Sequence, residues 1–267
     1  MKKPCTPPSR WRLTRHWTPD RAPRPLATAL AMALGLALLL ACLPVAAQSM
    51  PFVPPSYTAE YEAQKMGLSV VGHITLTREG QFLRYRARLR PTGVLSWVRS
   101  DEIIEQSIMR MTPDGLRSEE YLYSHTGGSR KRLTESRFDW EAYRVKGVHN
   151  DKSFELDLPP DAVDRFALQL AMINRLHRGE KEFSQTIVDR DRIRTYHFTV
   201  GEPRNITTPM GRVEAIPVIR EIEDRDTTVS TWFAPRMNYL PVRLEQEQNG
   251  DRVVLNIRSL EWHDSPR

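Results

Sequence analysis

The stretch TTVSTWFAPRMNYLPVRLEQEQNGDRVVLNIRSLEW, residues 227–262, decides the fold, because it predicts three antiparallel strands in succession. Asn249 and Gly250 are the pair that a type I′ turn favours, since both central residues of that turn need a positive φ. The turn places Gln248 opposite Asp251 and thereby sets the register of the hairpin. The partners expected further along the two strands are Gln246 with Val253, Leu244 with Leu255, and Val242 with Ile257.

The hydrophobic pattern of these two strands agrees with the turn. Apolar residues alternate with polar ones on both strands, and a shift of one residue would separate the apolar partners onto opposite faces. We therefore expect the apolar face to point inward, where it either lines a ligand cavity or fills a core. The candidate lining residues on it are Val242, Leu244, Leu255 and Ile257.

Short strands and turns continue upstream of this stretch. Residues 81–90 alternate strictly between apolar and basic side chains, which predicts a strand with one buried face. Pro113-Asp114-Gly115 is a turn signal, because proline presets φ and glycine adopts the left-handed conformation. Many short strands between turns are typical of an antiparallel sandwich or an open, curved barrel. We predict a mainly β fold, with a single antiparallel β domain over residues 57–264.

One predicted helix, at about residues 161–178, interrupts the strands. Asp161 is a suitable N-cap residue, and Gly179 follows the last turn. Apolar residues recur at helical spacing and form a stripe that includes Phe166 and Leu170. We expect the helix to cover one face of the sheet, and these two side chains are candidates for contact with a ligand.

The N-terminal 47 residues have the organisation of an export signal. A basic region up to Arg24 precedes an apolar run and a small-residue site that ends at Ala47. The expected cleavage after Ala47 would place the mature protein in the periplasm. Two alternatives stay open: lipidation of Cys42, which would anchor the chain to a membrane, and an uncleaved anchor. Residues 48–56 are rich in proline and predict a tether.

Charge and cysteine content limit the possible functions. The full chain has a formal charge of +6, but residues after 47 retain 32 of the 39 basic and 32 of the 33 acidic residues. Net charge therefore provides no argument for a nucleic-acid partner. The two cysteines, Cys5 and Cys42, both precede Ala47. A chain cleaved there has no disulfide, no thiol chemistry and no cysteine-based metal site.

Two groups of basic residues are candidate anion sites. Four arginines share one face of the strand at residues 81–90 and could bind phosphates or carboxylates: Arg84, Arg86, Arg88 and Arg90. The alternative is a solvated outer face, balanced by acids such as Glu102 and Glu105. A second group, Arg130, Lys131 and Arg132, follows two glycines and could form an anion nest or a basic hairpin flank.

The sequence lacks the patterns of common catalytic and metal sites. The histidines form no HxH or HExxH motif, and neither G-x-S-x-G nor Ser-x-x-Lys occurs. We therefore predict no catalytic residues, no metal and no cofactor. A binding protein is favoured over an enzyme.

Several blocks of the chain together resemble a known bacterial family. They are TAEYEAQKMGLSVVGHITL, GLRSEEYLYSHTGGSRKRLTESRFDW, LPPDAVDRFALQLAM and TPMGRVEAIPVIR leading to TWFAPRMNYLPVRLEQ. The set resembles the exported family called domain of unknown function 3108. This resemblance implies a mainly β protein of the cell envelope and supplies no catalytic residues. The passage from Trp232 to Gly250 also resembles that of LolA-like lipoprotein carriers, which are curved half-barrels closed by helices.

Three functions follow as expectations. The first is a non-enzymatic periplasmic protein that binds an apolar or amphiphilic ligand, such as a lipid, or an envelope partner on its concave face. The second is an envelope scaffold or assembly factor that acts through protein contacts alone. The third, and least favoured, is a hydrolase-type enzyme on an unfamiliar scaffold.

Overall fold

The computed structural model describes residues 50–65, 68–93, 101–127, 131–222 and 226–263. The strands before the helix are β1 (Tyr57–Lys65), β2 (Leu68–Glu79), β3 (Phe82–Thr92), β4 (Glu102–Thr112), β5 (Gly115–Thr126), β6 (Arg132–Asp139), β7 (Arg144–His149), β8 (Lys152–Asp157) and β9 (Val163–Asp164). Helix α1 (Leu168–His177) follows. The later strands are β10 (Glu182–Asp189), β11 (Arg192–Val200), β12 (Arg204–Thr208), β13 (Gly211–Ile222), β14 (Thr227–Ala234), β15 (Leu240–Gln248) and β16 (Asp251–Trp262).

The strands form a large antiparallel sheet that is not closed into a barrel, as the sequence predicts. The order across it is β8-β7-β6-β5-β4-β3-β2-β1-β16-β15-β14-β13-β11-β10-β9, with β12 paired to β13. The short pairing of β9 with β10 is parallel. The first and last long strands, β1 and β16, lie side by side in the middle of the sheet.

The predicted register of the last hairpin is confirmed. Asn249 and Gly250 have φ of 50° and 79°, as a type I′ turn requires. Gln248 pairs with Asp251, and the pairing continues through Gln246–Val253 and Leu244–Leu255 to Arg243–Asn256. The observed pairing ends at Arg243–Asn256, so the last predicted pair, Val242 with Ile257, lies just beyond it. Both of these side chains are fully buried.

The helix is present but shorter than predicted. Residues 163 and 164 form β9, a turn follows, and α1 begins only at Leu168. Asp161 is exposed and accepts a hydrogen bond from Thr186 Oγ1 at 2.9 Å. Asp164 instead accepts the backbone N–H groups of Phe166 and Ala167, both at 2.8 Å. The pairing of β9 with β10 competes with helix formation and moves the start of the helix toward the C-terminus.

The inner face of the sheet, which carries Leu83, Tyr85 and Ala87, packs against α1 and forms the core. The outer face carries the alternate residues. Glu102 and Glu105 therefore lie on opposite faces of β4, because they are three residues apart on a strand. The expectation that both acids balance the outer arginines is wrong for Glu105, which points inward.

The proline-rich segment before β1 contacts the helix over its described part. The Phe52 ring stacks on His177 with centroids 4.0 Å apart, and its edge meets Tyr239 at 6.2 Å. The Phe52 N–H donates to Asn174 Oδ1 at 3.2 Å. Residues 50–56, predicted as part of a tether, thus attach the end of α1 to the sheet.

Candidate ligand-binding face

Helix α1 covers one part of the inner face of the sheet and leaves the other part uncovered. We call the covered part the closed half and the uncovered part the open half. Tyr85 stacks on Phe166 with centroids 4.1 Å apart, and its hydroxyl donates to Gln169 Oε1 at 2.7 Å. Side chains in this half are almost completely excluded from solvent: Tyr57, Leu76, Leu83, Tyr85, Met109, Leu170 and Ile173. The closed half is therefore a packed core.

Buried polar bonds fasten the segment before α1 to the closed half. Asp164 Oδ2 accepts hydrogen bonds from Ser107 Oγ at 2.5 Å and Ser118 Oγ at 2.6 Å. Its backbone N–H donates to Ser118 Oγ at 2.9 Å. Burial raises the pKa of Asp164, although these hydroxyls and two backbone N–H groups lower it. The serines come from β4 and β5, so Asp164 joins β9 to strands far from it in the sheet order.

A second carboxyl group, which is half-buried, lies on the inner face of β4. Glu105 Oε1 accepts a hydrogen bond from the Tyr121 hydroxyl at 2.7 Å. Burial raises the pKa of Glu105, and the Arg165 guanidinium partly offsets that rise. Burial also raises the pKa of Tyr121, and the Glu105 charge adds to the effect.

The open half of the inner face lies beyond the helix, toward the hairpin ends of β1–β2 and β15–β16. Cross-strand pairing places Thr231 opposite Leu244, Leu244 opposite Leu255, and Leu255 opposite Ala63. The row continues because Ala63 pairs with Val70. Apolar side chains in this half are partly or largely exposed: Leu89, Ile103, Val229, Leu244, Val253 and Leu255. The same face that is packed under α1 thus carries apolar side chains that solvent reaches here.

An arginine cluster, composed of Arg165, Arg194 and Arg220, borders the open half. Arg165 Nε lies 3.5 Å from Asp189 Oδ1, and Arg194 Nε lies 3.5 Å from Asp189 Oδ2. The Tyr196 hydroxyl donates to the same Oδ2 at 3.2 Å. The Arg220 guanidinium lies over the Tyr196 ring, 3.9 Å from its centroid. These five side chains form one contiguous group.

The four arginines predicted as an anion site lie on the outer face of β3. Arg88 and Arg90 both pair with Glu102, and the Arg90 Nε to Glu102 Oε1 distance is 2.7 Å. Within the described part of the chain, Arg84 and Arg86 have no salt-bridge partner. Two of the four arginines are therefore balanced by an acid on the neighbouring strand, as expected for a solvated outer face.

The other predicted site residues fall into separate groups. Lys131 and Arg132 are exposed, and Arg130 lies outside the described residues, as does the predicted cleavage site at Ala47. Phe166 and Leu170 are buried in the closed half. The predicted inward set is divided: Val242 and Ile257 are fully buried, whereas Leu244 and Leu255 lie in the open half.

Sequence reasoning missed the arginine cluster. Arg194 and Tyr196 alternate on β11, which could have indicated a shared face. Arg165, however, comes from the segment before α1, and Arg220 comes from β13. No local pattern in the sequence brings these positions together.

The outer face has a shallow depression over β4 to β7. Its volume is about 420 Å³, and its lining includes Glu120, Leu122, Glu135, Arg137 and Lys146. Both signs of charge are represented equally among these residues. The depression therefore has no strong preference for either sign of ligand charge.

The described ranges contain neither a candidate metal cluster nor a helix that could span a membrane. No group of three or more His, Cys, Asp or Glu side chains there could hold a metal ion. None of the helices described is both long and apolar enough to cross a bilayer.

Comparison with known proteins gave one family and one fold. A family model described as "Protein of unknown function (DUF3108)" matches residues 56–257. A crystal structure of a β-barrel-like protein of domain of unknown function DUF1849 from Brucella abortus is similar, with a TM-score of 0.51. The alignment covers 80% of this chain and 100% of that chain at 12% identity, which indicates a similar fold alone. No curated protein matches the chain. The barrel-like neighbour agrees only loosely with the resemblance to LolA-like carriers.

Proposed function

We propose that this chain, which belongs to the DUF3108 family of proteins of unknown function, binds the apolar part of an amphiphilic molecule on the open half of its inner face. One observation carries the proposal: the apolar row through Leu244 and Leu255 continues the core but is only partly covered. Partly covered apolar side chains next to a core favour an apolar ligand, since its burial removes their surface from water.

The closed half is not the proposed site. Its side chains fill the space under α1, and the Asp164 bonds hold the adjacent segment against β4 and β5. A ligand there would have to displace Phe166 and Leu170, which contribute to the core. The proposal therefore moves the binding site expected from the sequence to the uncovered half.

The proposed location is the periplasm. The support is the signal-like organisation of residues 1–47 and the balanced charge of the residues that follow. Amphiphiles are abundant in the cell envelope, so an exported protein with an open apolar face would encounter them. The proposed contact with a membrane is peripheral, unless Cys42 is lipidated.

The test is saturable binding of a neutral apolar probe, N-phenyl-1-naphthylamine, measured by fluorescence on the purified protein. We expect Leu244→Glu to weaken the affinity at least about tenfold, because it removes apolar area and places a carboxylate in the site. Leu122→Glu is the matched control, since Leu122 is a partly exposed leucine on the outer face of β5. Thermal unfolding of both variants shows that each is folded.

Two results would contradict this proposal. One is the absence of saturable binding to the unmodified protein. The other is an equal loss of affinity in the Leu122→Glu variant, which would move the site to the outer face.

The second candidate function is contact with an envelope protein through the outer face. The observation that favours it is the depression over β4 to β7, which is lined by Leu122 and by residues of both charges. A mixed lining of this kind suits a polar protein surface better than an acyl chain. Loss of a co-purifying protein in the Leu122→Glu variant, with probe binding unchanged, would favour this function.

A further inference from the structure

We infer that the ligand of the open half carries an anionic group, a phosphate or a carboxylate, and that Arg194 and Arg220 bind it. This inference rests on the proposed function, since the apolar part of the same ligand would occupy the open half. It names the chemical class of the ligand as an anionic amphiphile.

The position of Arg220 connects the arginine cluster to the apolar row. Arg220 pairs directly with Val229 across β13 and β14, and Val229 pairs with Gln246. Gln246 in turn pairs with Val253, which is 39% exposed. Side chains opposite each other on antiparallel strands lie about 4.5–5.5 Å apart at Cβ. An anionic group at Arg220 could therefore continue into an apolar chain on the neighbouring strands.

Among the described residues, the acids in and around the arginine cluster do not pair with all three of its arginines. Arg165 lies between two half-buried acids, since it interacts electrostatically with Glu105 and contacts Asp189. Arg194 shares Asp189, but its side chain is 45% exposed. Arg220 stacks on Tyr196 and forms no salt bridge within the part of the chain that the structure describes. A guanidinium has five N–H donors, so both of these arginines retain donors for a ligand.

The chemistry of guanidinium favours an oxyanion as the bound group. Its planar fork matches the geometry of phosphate and carboxylate oxygens, which accept two parallel hydrogen bonds. The guanidinium of Arg220 lies 3.9 Å from the centroid of the Tyr196 ring, and this contact uses its face and not its N–H donors. Two arginines joined through Asp189 and Tyr196 can therefore hold one anionic group between them.

The outer arginines cannot serve the same ligand. Arg84 and Arg86 lie on the opposite face of the sheet from Leu89, because neighbouring residues on a strand alternate. An amphiphile on the open half would be separated from them by the sheet itself. Arg86 therefore provides a matched control for a mutation in the arginine cluster.

The experiment compares two displacing ligands with the same tail, dodecyl phosphate and dodecyl maltoside, below their micelle-forming concentrations. Each displaces N-phenyl-1-naphthylamine from the full-length purified protein. We expect dodecyl phosphate to bind about fivefold to tenfold more tightly, since charge-assisted hydrogen bonds add to equal tail contacts. Higher ionic strength should reduce this preference. Dodecanoate provides a carboxylate arm, and inorganic phosphate tests whether the anion binds without a tail.

The double substitution Arg194→Gln/Arg220→Gln should abolish the preference and leave dodecyl maltoside affinity unchanged. Arg86→Gln should retain the preference. The inference is overturned if both ligands bind the unmodified protein equally, if the double variant keeps the preference, or if Arg86→Gln loses it. Failure of both dodecyl ligands to displace the probe would instead overturn the proposed function. Equal affinity for inorganic phosphate and dodecyl phosphate would also contradict the proposed function, because the tail would then contribute nothing.

Discussion

Asp164 is the residue on which the attachment of the helix segment depends. It accepts two serine hydroxyls and two backbone N–H groups and is fully buried. Since a lost partner leaves buried donors unsatisfied, each of these bonds contributes more than an exposed one would. Asp161, which the sequence indicates as the N-cap, has no comparable set of partners.

We predict that Asp164→Ala lowers the free energy of unfolding by about 3 kcal/mol, because four buried donors lose their acceptor. Asp161→Ala should cost less than about 1 kcal/mol, since Asp161 is exposed. Urea unfolding monitored by circular dichroism measures both values. Similar costs for the two substitutions would contradict the role of Asp164 in attaching the segment before α1 to β4 and β5.

Glu105 predicts a pH dependence of stability. Burial raises its pKa in the folded protein above the ordinary value of 4.5. A carboxyl group with a raised folded-state pKa stabilises the fold at low pH and loses that contribution as the pH rises through the folded value. Acidification from pH 7 toward 5 should therefore stabilise the unmodified protein relative to Glu105→Gln, which cannot titrate.

The measurement is the difference in unfolding free energy between the two proteins across that pH range. The amide of the Gln variant keeps an acceptor for the Tyr121 hydroxyl, so its fold should be preserved. Glu155→Gln is a suitable control, since Glu155 is exposed on β8. If the difference in unfolding free energy between the unmodified protein and Glu105→Gln does not vary with pH, folding does not raise the pKa of Glu105.

At the scale of elements, glycine has two different roles in the hairpins. Gly250 occupies a turn at a φ of 79°, and a Cβ there would meet no atom within 4 Å. A Cβ at Gly147 on β7 would instead overlap the Glu135 carbonyl oxygen and lie 2.6 Å from the Phe154 ring. Glycine is favoured at position 250 because φ is positive there, and at position 147 because a side chain would not fit.

We predict that Gly250→Ala costs about 1 kcal/mol of stability, which is the conformational penalty alone. Gly147→Ala should cost more than about 2 kcal/mol, because strands β6 and β7 must separate or Phe154 must move. Thermal and urea unfolding of both variants test the order of these effects. The reverse order would show that the close approach of β6 and β7 is easily relieved.

The elements also show which predictions local sequence can support. The last hairpin was predicted to the residue, because the Asn-Gly turn and the alternation of Leu244 and Leu255 agree. The helix was predicted with the wrong start, because β9 pairs with β10, a strand about 20 residues later. Trp140, which follows β6, is buried through a contact with a different strand, because its Nε1 donates to Ser118 O of β5 at 2.8 Å.

At the scale of the whole molecule, the proposed cleavage after Ala47 would change the net charge of the protein. The full chain has a sequence pI of about 9.5, whereas the residues after Ala47 have equal numbers of basic and acidic side chains. Export and cleavage would therefore change an apparently basic protein into a neutral one. The basic pI of the full chain therefore comes from residues 1–47.

We predict that the protein from a bacterial periplasmic fraction begins at Gln48 and focuses far below pH 9.5. Intact mass and isoelectric focusing measure both properties. Cys42→Ser should leave the mass of the product unchanged, and Ala47→Phe should block cleavage. A product that begins at a lipidated Cys42 would instead establish the lipoprotein alternative.

The whole sheet shows how far the architecture could be predicted. The antiparallel class, the open curvature and one covering helix were predicted and are confirmed. The pairing of β1 with β16 joins strands that are nearly the whole domain apart in sequence. Neither strand contains a local signal for the other, so this pairing could not be predicted.

By itself, the sequence determined the antiparallel β class, the alternating faces of the long strands, the register of the last hairpin and the family of the chain. These properties depend on residues that are close together, where side-chain period and turn conformation act directly. Only the tertiary structure decided which half of the inner face is packed under α1 and which is open. It also decided that Arg165 and Arg194 meet at Asp189 and that Arg220 joins them through Tyr196. The reason is that these contacts join distant segments, and their stability depends on the combined packing of the whole sheet, which no local pattern contains.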